Sequence, residues 1–346
     1  MWFYYAIYFF LVLSYYISIK YNIQQYTFWF CLVLLTFISG FRPSECCSDY
    51  STYVDYYDNI DTHSFIELEP TFFLISSISK VIFNSSIGVF LIYAVIGVLS
   101  KGFAIKKLSS LYLLSLIIYS STFFLLHEMT QIRVGIASSI LLLSIPSIYE
   151  RKKYIFLFFI LLGTLFHYSF LIFGLFYFVQ PKTLNPYLYL GLIAFGFISY
   201  LLGINIVSMA TLIPIEFISS KLIAYNKLLE MGVDTKINVF NILVIFRICF
   251  LLVLLWKNKF LYEKNKYALV LIKIYAFSIF LFTFLSTLPV LAFRIRELLG
   301  IVEIILLPFL IYLIKEKHIA FIIFLSIGLM LMSIDIWYNK IIFNYF

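Results

Sequence analysis

The sequence predicts an all-α polytopic integral membrane protein of about ten to twelve transmembrane helices. Three observations predict it. The 346 residues are 63% hydrophobic and only 12% charged, and a soluble domain carries roughly twice that charged share. Apolar runs of about 14–26 residues recur from end to end, on the scale of the ~20 that a helix needs to cross a bilayer. A mean hydropathy of +1.02 leaves no stretch for a soluble domain. The chain therefore reads as a single transmembrane domain over 1–346.

Taken in order, apolar periodicity places spans at 2–19, 25–40, 86–103, 111–126, 134–149, 154–179, 187–203, 238–256, 267–288, 298–314 and 318–336. The first run, Trp2 to Ile19, has neither a basic leader nor a small-residue cleavage site, so it reads as a retained helix. Cys31, Cys46, Cys47 and Cys249 show no metal-ligand spacing. A disulfide between the adjacent Cys46 and Cys47 would be strained, so these read as free thiols. The net charge of +8 belongs to cytoplasmic loop anchors rather than to a nucleic-acid surface.

Those anchors set the topology. Lys101/Lys106/Lys107, Arg151/Lys152/Lys153, the run from Lys257 to Lys266, and Lys315/Lys317 mark the cytoplasmic side. Segment 41–70 holds seven carboxylates and one basic residue and is read as exported, as is loop 204–237. The sides alternate only if two apolar stretches do not cross. Stretch 71–83 is short and carries Ser76, Ser77, Ser79 and Lys80, so it is laid on the membrane surface. The run "YIFLFFILLGTLFHYSFLIFGLFYFV", Tyr154 to Val179, is read as a re-entrant hairpin with His167 at its tip. Each arm of about a dozen residues reaches roughly 18 Å. Such a turn is tolerated only where protein or a water-filled cavity covers it.

This arrangement gathers polar residues on the exported face. They are Arg42, then His127, Glu128 and Arg133 of "HEMTQIRVG", then Arg294, Arg296 and Glu297 of "LPVLAFRIRELLG". In loop 204–237, Ile215, Ile218, Leu222, Tyr225 and Leu229 share one helical face, which suits an amphipathic helix over the cavity. Arg247 lies within a span, and an intramembrane arginine points to function by default. Lys273 is expected to snorkel. Several arginines around a membrane cavity suit a phosphate-rich ligand, because guanidinium bonds phosphate oxygens bidentately and stays charged. The tyrosines of "DYSTYVDYYDN", Tyr50 and Tyr53 among them, suit either sugar stacking or an interfacial belt.

From about Gly40 to Pro308 these pieces resemble the bacterial EpsG/Wzy group of polysaccharide polymerases. The stretches that carry the resemblance are "GFRPSECCSDYSTYVDYY", "ELEPTFFLISSISKVI", "TQIRVGIASSILLLS", "IYERKKYIFLFFILLGTLFHYSFLI" and "FRIRELLGIVEIILLP". Arg42, Asp49, Tyr50 and Tyr53 match an R…G-x-D-Y-x-x-Y pattern, with Cys47 at the glycine position. Glu69-Pro70 matches the E-P that follows. Arg133 matches an R-Q-G-I-A-like motif with Val134 in place of Gln. His167 and Ser169 match F-H-x-S, and Arg294 matches a late R-I-x-x-Y-F-like motif without its aromatic end.

The resemblance implies a GT-C-like glycosyltransferase of the bacterial inner membrane with its active site facing the periplasm. Its substrates would be oligosaccharide repeat units on undecaprenyl pyrophosphate, and a separate chain-length regulator is an implied protein partner. The acceptor hydroxyl needs a base, for which His167, Asp49 and Glu69 are candidates. The departing pyrophosphate needs cations, for which Arg133 and Arg294 are the first candidates, followed by Arg42 and Arg247. Arginines fill that need without a metal, so neither metal nor cofactor is expected. A metal-dependent alternative would use Glu67/Glu69 or Asp55/Asp58. The rival readings are an O-antigen ligase using the same donor, a lipid-linked oligosaccharide flippase and a sugar acyltransferase. A flippase would show repeat symmetry and charges facing both sides, neither of which the sequence contains.

Overall fold

The structure, a computed structural model, describes residues 1–62, 68–204 and 237–343. The amphipathic face expected around Ile215 to Leu229, and Glu67, lie outside the described residues. The described residues form helices and no strand; one isolated antiparallel bridge joins Cys47 to Ile342. The chain is an all-α polytopic membrane protein. The path divides into two compact units, Met1–Tyr177 with Glu303–Phe346, and Phe178–Val302.

The first unit opens with α1 (Trp2–Tyr21) and α2 (Gln24–Gly40). After the Cys46-Cys47 turn come the nine-residue α3 (Tyr50–Asp58) and α4 (Pro70–Ile82). Then follow α5 (Ile87–Leu108), α6 (Tyr112–Ser121), α7 (Ile132–Tyr149) and α8 (Lys153–Phe166). The second unit contributes α9 (Pro186–Leu201), α10 (Ile242–Trp256), α11 (Asn258–Lys264), α12 (Ala268–Phe284) and α13 (Pro289–Gly300). The last helix, α14 (Lys317–Ser333), belongs to the first unit.

Among the described residues, α1, α5, α7 and the Lys317–Tyr338 stretch are each long and apolar enough to cross a membrane. The bent pair Tyr112–Ser121 and Phe124–Thr130 makes a fifth span if counted as one. The expected ten to twelve crossings therefore rely on the shorter apolar helices as well. α1 exposes Trp2, Phe9, Leu13 and Tyr16, as a lipid-facing helix does. α7 packs between α5 and α8 and is buried over most of its length. Gly135, Ala137, Ser138 and Ser139 keep its first turns slim enough for close neighbours. The buried Ser139 and Ser144 hydroxyls donate to carbonyls three residues back, so they leave no unsatisfied group in the core.

The expected hairpin is present. α8 ascends to Phe166, and an eleven-residue 3₁₀ helix, Tyr168–Phe178, returns. His167 joins them in extended conformation, φ −156° and ψ 118°. The arms run antiparallel, since Phe156 near one base packs on Phe173 and Tyr177 near the other. Arg151 donates to the Tyr177 carbonyl across that base. Fourteen α-residues span about 21 Å and eleven 3₁₀ residues about 22 Å, so the stretched second arm matches the first in length. Gly163 makes the closure possible, because a Cβ there would sit 2.4 Å from the Phe170 ring.

Four expectations need correction. Lys101 is no loop anchor; it is fully buried within α5 and paired with Glu128. The span expected at 111–126 breaks after Ser121, and its two halves meet at 63°. The span expected at 298–314 is not one helix, because after Glu303–Leu306 a short 3₁₀ turn with Pro308 interrupts it. Lys273 does not snorkel. It is buried in α12 and donates to the Gln180 and Thr183 carbonyls within the second unit. The four cysteines are free, as expected.

Candidate active site

Three motif residues far apart in sequence meet in the first unit. Glu69 caps the start of α4, with φ −58° and ψ 141°, and Pro70 occupies the first helical position. Proline's fixed φ and missing N–H suit that position. Thr71 Oγ1 donates to the Leu165 carbonyl at 2.8 Å, which ties the first turn of α4 to the end of α8. Glu69 is thereby held beside the hairpin tip.

Both carboxylate oxygens of Glu69 are used. Oε2 accepts from Arg133 Nη1, and Oε1 lies 2.9 Å from His167 Nδ1. Burial alone would raise the Glu69 carboxyl, but the His167 hydrogen bond and the Arg133 charge hold it down at about 2. Glu69 is therefore an ionised acceptor at neutral pH. An ionised carboxylate only accepts, so the proton in the bond to His167 sits on Nδ1. In the neutral ring the lone pair is then on Nε2.

Arg133 stands at the start of α7, beneath the aromatic side chains of α3 and α4. Its guanidinium carbon lies 5.5 Å from the Tyr53 ring centre, and 5.8 Å from those of Tyr56 and Phe72. Burial pushes the Tyr53 phenol up to about 12. The Arg133 side chain keeps 18% of its surface exposed, against 6% for Glu69. Its Nε is enclosed and has no hydrogen-bond partner, an orphan donor of the kind that calls for an explanation. Chemically, the cluster holds a fixed cation, an anion that orients an imidazole, and an imidazole lone pair.

The other residues named from sequence divide. Arg42 is buried in the first unit, donating from Nε to the Ser39 carbonyl at 2.8 Å and from Nη1 to the Met129 carbonyl at 2.6 Å. Its guanidinium lies 4.6 Å from the Phe90 ring centre, on which Tyr50 also stacks. Asp49 heads α3 and accepts from Ser48 Oγ at 3.2 Å. Asp55 and Asp58 are exposed on α3. In the second unit, Arg247 and Arg296 line one recess with Val244, Ile279 and Phe282. Arg294, the residue the motif selected, lies about 200° round α13 from Arg296.

Sequence reasoning did not single out Tyr56 or Phe72 as the Arg133 surround, nor Arg296 as the companion of Arg247. Tyr56 lies three residues after Tyr53, so the two share a helical face, and that spacing was a usable signal.

A family model described as EpsG family matches residues 25–346, nearly the whole chain. That family includes Wzy-type polymerases and supports a polysaccharide-polymerase, glycosyltransferase-like role. No curated protein and no solved structure matches the chain.

Proposed function

The chain belongs to the EpsG family, and from that premise we propose that it joins oligosaccharide repeat units carried on undecaprenyl pyrophosphate, at the periplasmic face of the inner membrane. The acceptor sugar hydroxyl attacks the anomeric carbon at the reducing end of the donor chain. A carbon–oxygen bond forms there, and the bond from that carbon to the pyrophosphate oxygen breaks. The lipid pyrophosphate leaves with the electron pair, and the hydroxyl proton passes to His167 Nε2. Glu69 fixes the ring in the tautomer that can receive it. A carboxyl held at about 2 has too little basicity to take the proton itself at neutral pH. Asp49 is the alternative base.

Arg133 stabilises the leaving pyrophosphate, through the part of its side chain that stays exposed. Arg294 is the second proposed pyrophosphate ligand, with Arg42 and Arg247 behind it. The observation that carries the reading is the convergence of Glu69, Arg133 and His167 in one hydrogen-bonded cluster.

The test is polymerisation in vitro with purified protein and lipid-linked repeat units, with and without chelator. We expect polymer in both. His167→Ala and His167→Gln should each cut turnover by about 10² or more at normal membrane abundance. Full-length polymer from His167→Ala would overturn the role of the imidazole, and transfer only to a lipid A-core acceptor would make the protein a ligase. The orientation is tested by impermeant labelling of single cysteines. Positions 49, 133 and 294 should label from outside, and strong outside labelling at 152 or 264 would sink the topology.

A further inference from the structure

We propose that Lys101 and Glu128 are a positioning pair that sets where Arg133 stands, an inference that takes the Arg133 cluster as the reacting site. Lys101 comes from the interior face of α5 and is fully enclosed, and Glu128 is 2% exposed. Glu128 ends the π-helical turn Phe124–Glu128, which follows the break in the α6 path. Lys101 Nζ donates to Glu128 Oε1 and also to the Gly135 carbonyl in the first turn of α7. The Tyr119 ring of α6 lies 5.9 Å from the same ammonium. One cation thus ties α5, the turn after α6 and the start of α7 together.

The surroundings are shaped for this pair. Gly97 lies one turn before Lys101, and a Cβ there would come within 2.5 Å of Glu128 Oε2. At Gly135 a Cβ would meet the His127 carbonyl at 3.0 Å. His127 Nδ1 in turn lies 3.0 Å from Ser138 Oγ, one turn further along α7. The chain between Glu128 and Gly135 carries Arg133. It is held at its near end by Arg42 on the Met129 carbonyl and at its far end by Lys101 on the Gly135 carbonyl. With both ends fixed, the direction in which Arg133 leaves the backbone is fixed as well. Lys101 bonds Glu128 and the Gly135 carbonyl, so the effect of the pair on the site passes through the backbone of this segment.

The decisive variant is the neutral double change Lys101→Met with Glu128→Gln, which keeps approximate volume and leaves no unpaired buried charge. Lys101→Met alone should lose membrane abundance, and the second change should restore it. Two readouts on the restored protein are then compared with wild type. The first is the rate at which a dicarbonyl reagent modifies Arg133, followed by mass spectrometry of its peptide; this needs no activity. We expect it to change about threefold or more as the guanidinium shifts. The second is polymerisation, in which kcat should fall on the order of tenfold with a smaller change in KM, as misplacement of a group acting on the leaving charge requires. Wild-type labelling and wild-type kcat in the restored double variant would overturn the proposal and leave the pair a folding element. Altered labelling with no polymerisation by wild type would keep the pair and refute the polymerase reading.

Discussion

Two of the buried carboxylates of the first unit, Glu128 and Glu69, each face a cation, yet they are built to opposite ends. Glu128 and Lys101 are closed off, at 2% and 0% exposure, and the ammonium is further engaged by a backbone carbonyl. Glu69 and Arg133 are less closed, with the Arg133 side chain 18% exposed, its guanidinium ringed by aromatic side chains and its Nε left without a partner. Breaking a closed buried pair by removing one partner costs about 3–5 kcal/mol, because the survivor stays charged in a dry place. The Arg133 side chain, by contrast, keeps some exposure, with His167 on the same carboxylate. On the proposed function, the difference separates a group that holds the fold from one that meets a substrate.

The sharpest way to break that comparison is to swap cations. Arg133→Lys keeps a positive charge but loses the planar fork. Polymerisation should fall by about 10² or more, the scale of losing one donor to a developing charge. Membrane abundance should stay near wild type, as measured by immunoblot beside the Lys101→Met protein, which should be depleted. If Arg133→Lys were depleted as badly as Lys101→Met, the open site would be structural like the closed one.

Next in size is Glu69→Gln. The amide can still accept from His167 but no longer offers a charge to hold Arg133 or to fix the ring. We expect a loss of about 10- to 100-fold in turnover, the range seen when a partner that orients an imidazole is removed. Turnover within twofold of wild type would detach Glu69 from the chemistry.

Much of the open site was legible in the sequence, because each member is a polar residue in a greasy run with a motif around it. His167 stands out from the uncharged stretch between Tyr154 and Val179, and the demand that basic loops alternate correctly was enough to fold that stretch back. What no spacing showed was that Glu69, 64 residues before Arg133 and 98 before His167, would lie between them. The closed pair was illegible for a different reason. Lys101 reads as one of a basic cluster with Lys106 and Lys107, although five residues along a helix turn a side chain about 140° away. The break after Ser121 carries no Pro or Gly to announce it. The Arg294/Arg296 choice went to the motif residue, while the recess beside Arg247 is lined by its neighbour.

A smaller effect concerns acid. The Glu69 carboxyl is lowered from an ordinary 4.5 to about 2 in the folded chain. Its contribution to stability is therefore complete above the ordinary value and drains away as pH falls through the folded one. The unfolding temperature of wild type minus that of Glu69→Gln should stay constant from about pH 8 to pH 5 and shrink below about 4.5. A gap that closes near pH 6 instead would mean that another group, not Glu69, carries the linkage.

The smallest expected effect tests what the motif tyrosine does. Tyr53 is buried, with its ring against Phe72 and Phe90 and 5.5 Å from the Arg133 guanidinium carbon. We propose that in that place it seats the cation rather than offering a platform for a sugar. A cation–π contact of this kind is worth about 0.5–1 kcal/mol where partly exposed, which is a factor of roughly two to five in rate. Tyr53→Phe keeps the ring and should polymerise within about twofold of wild type. Tyr53→Leu removes the ring's face and should lose about two- to fivefold, chiefly in kcat, since Arg133 acts on charge that develops as the bond breaks. If Tyr53→Phe loses as much as Tyr53→Leu, the hydroxyl and not the ring matters. A loss confined to KM in either variant would return Tyr53 to the sugar-binding role.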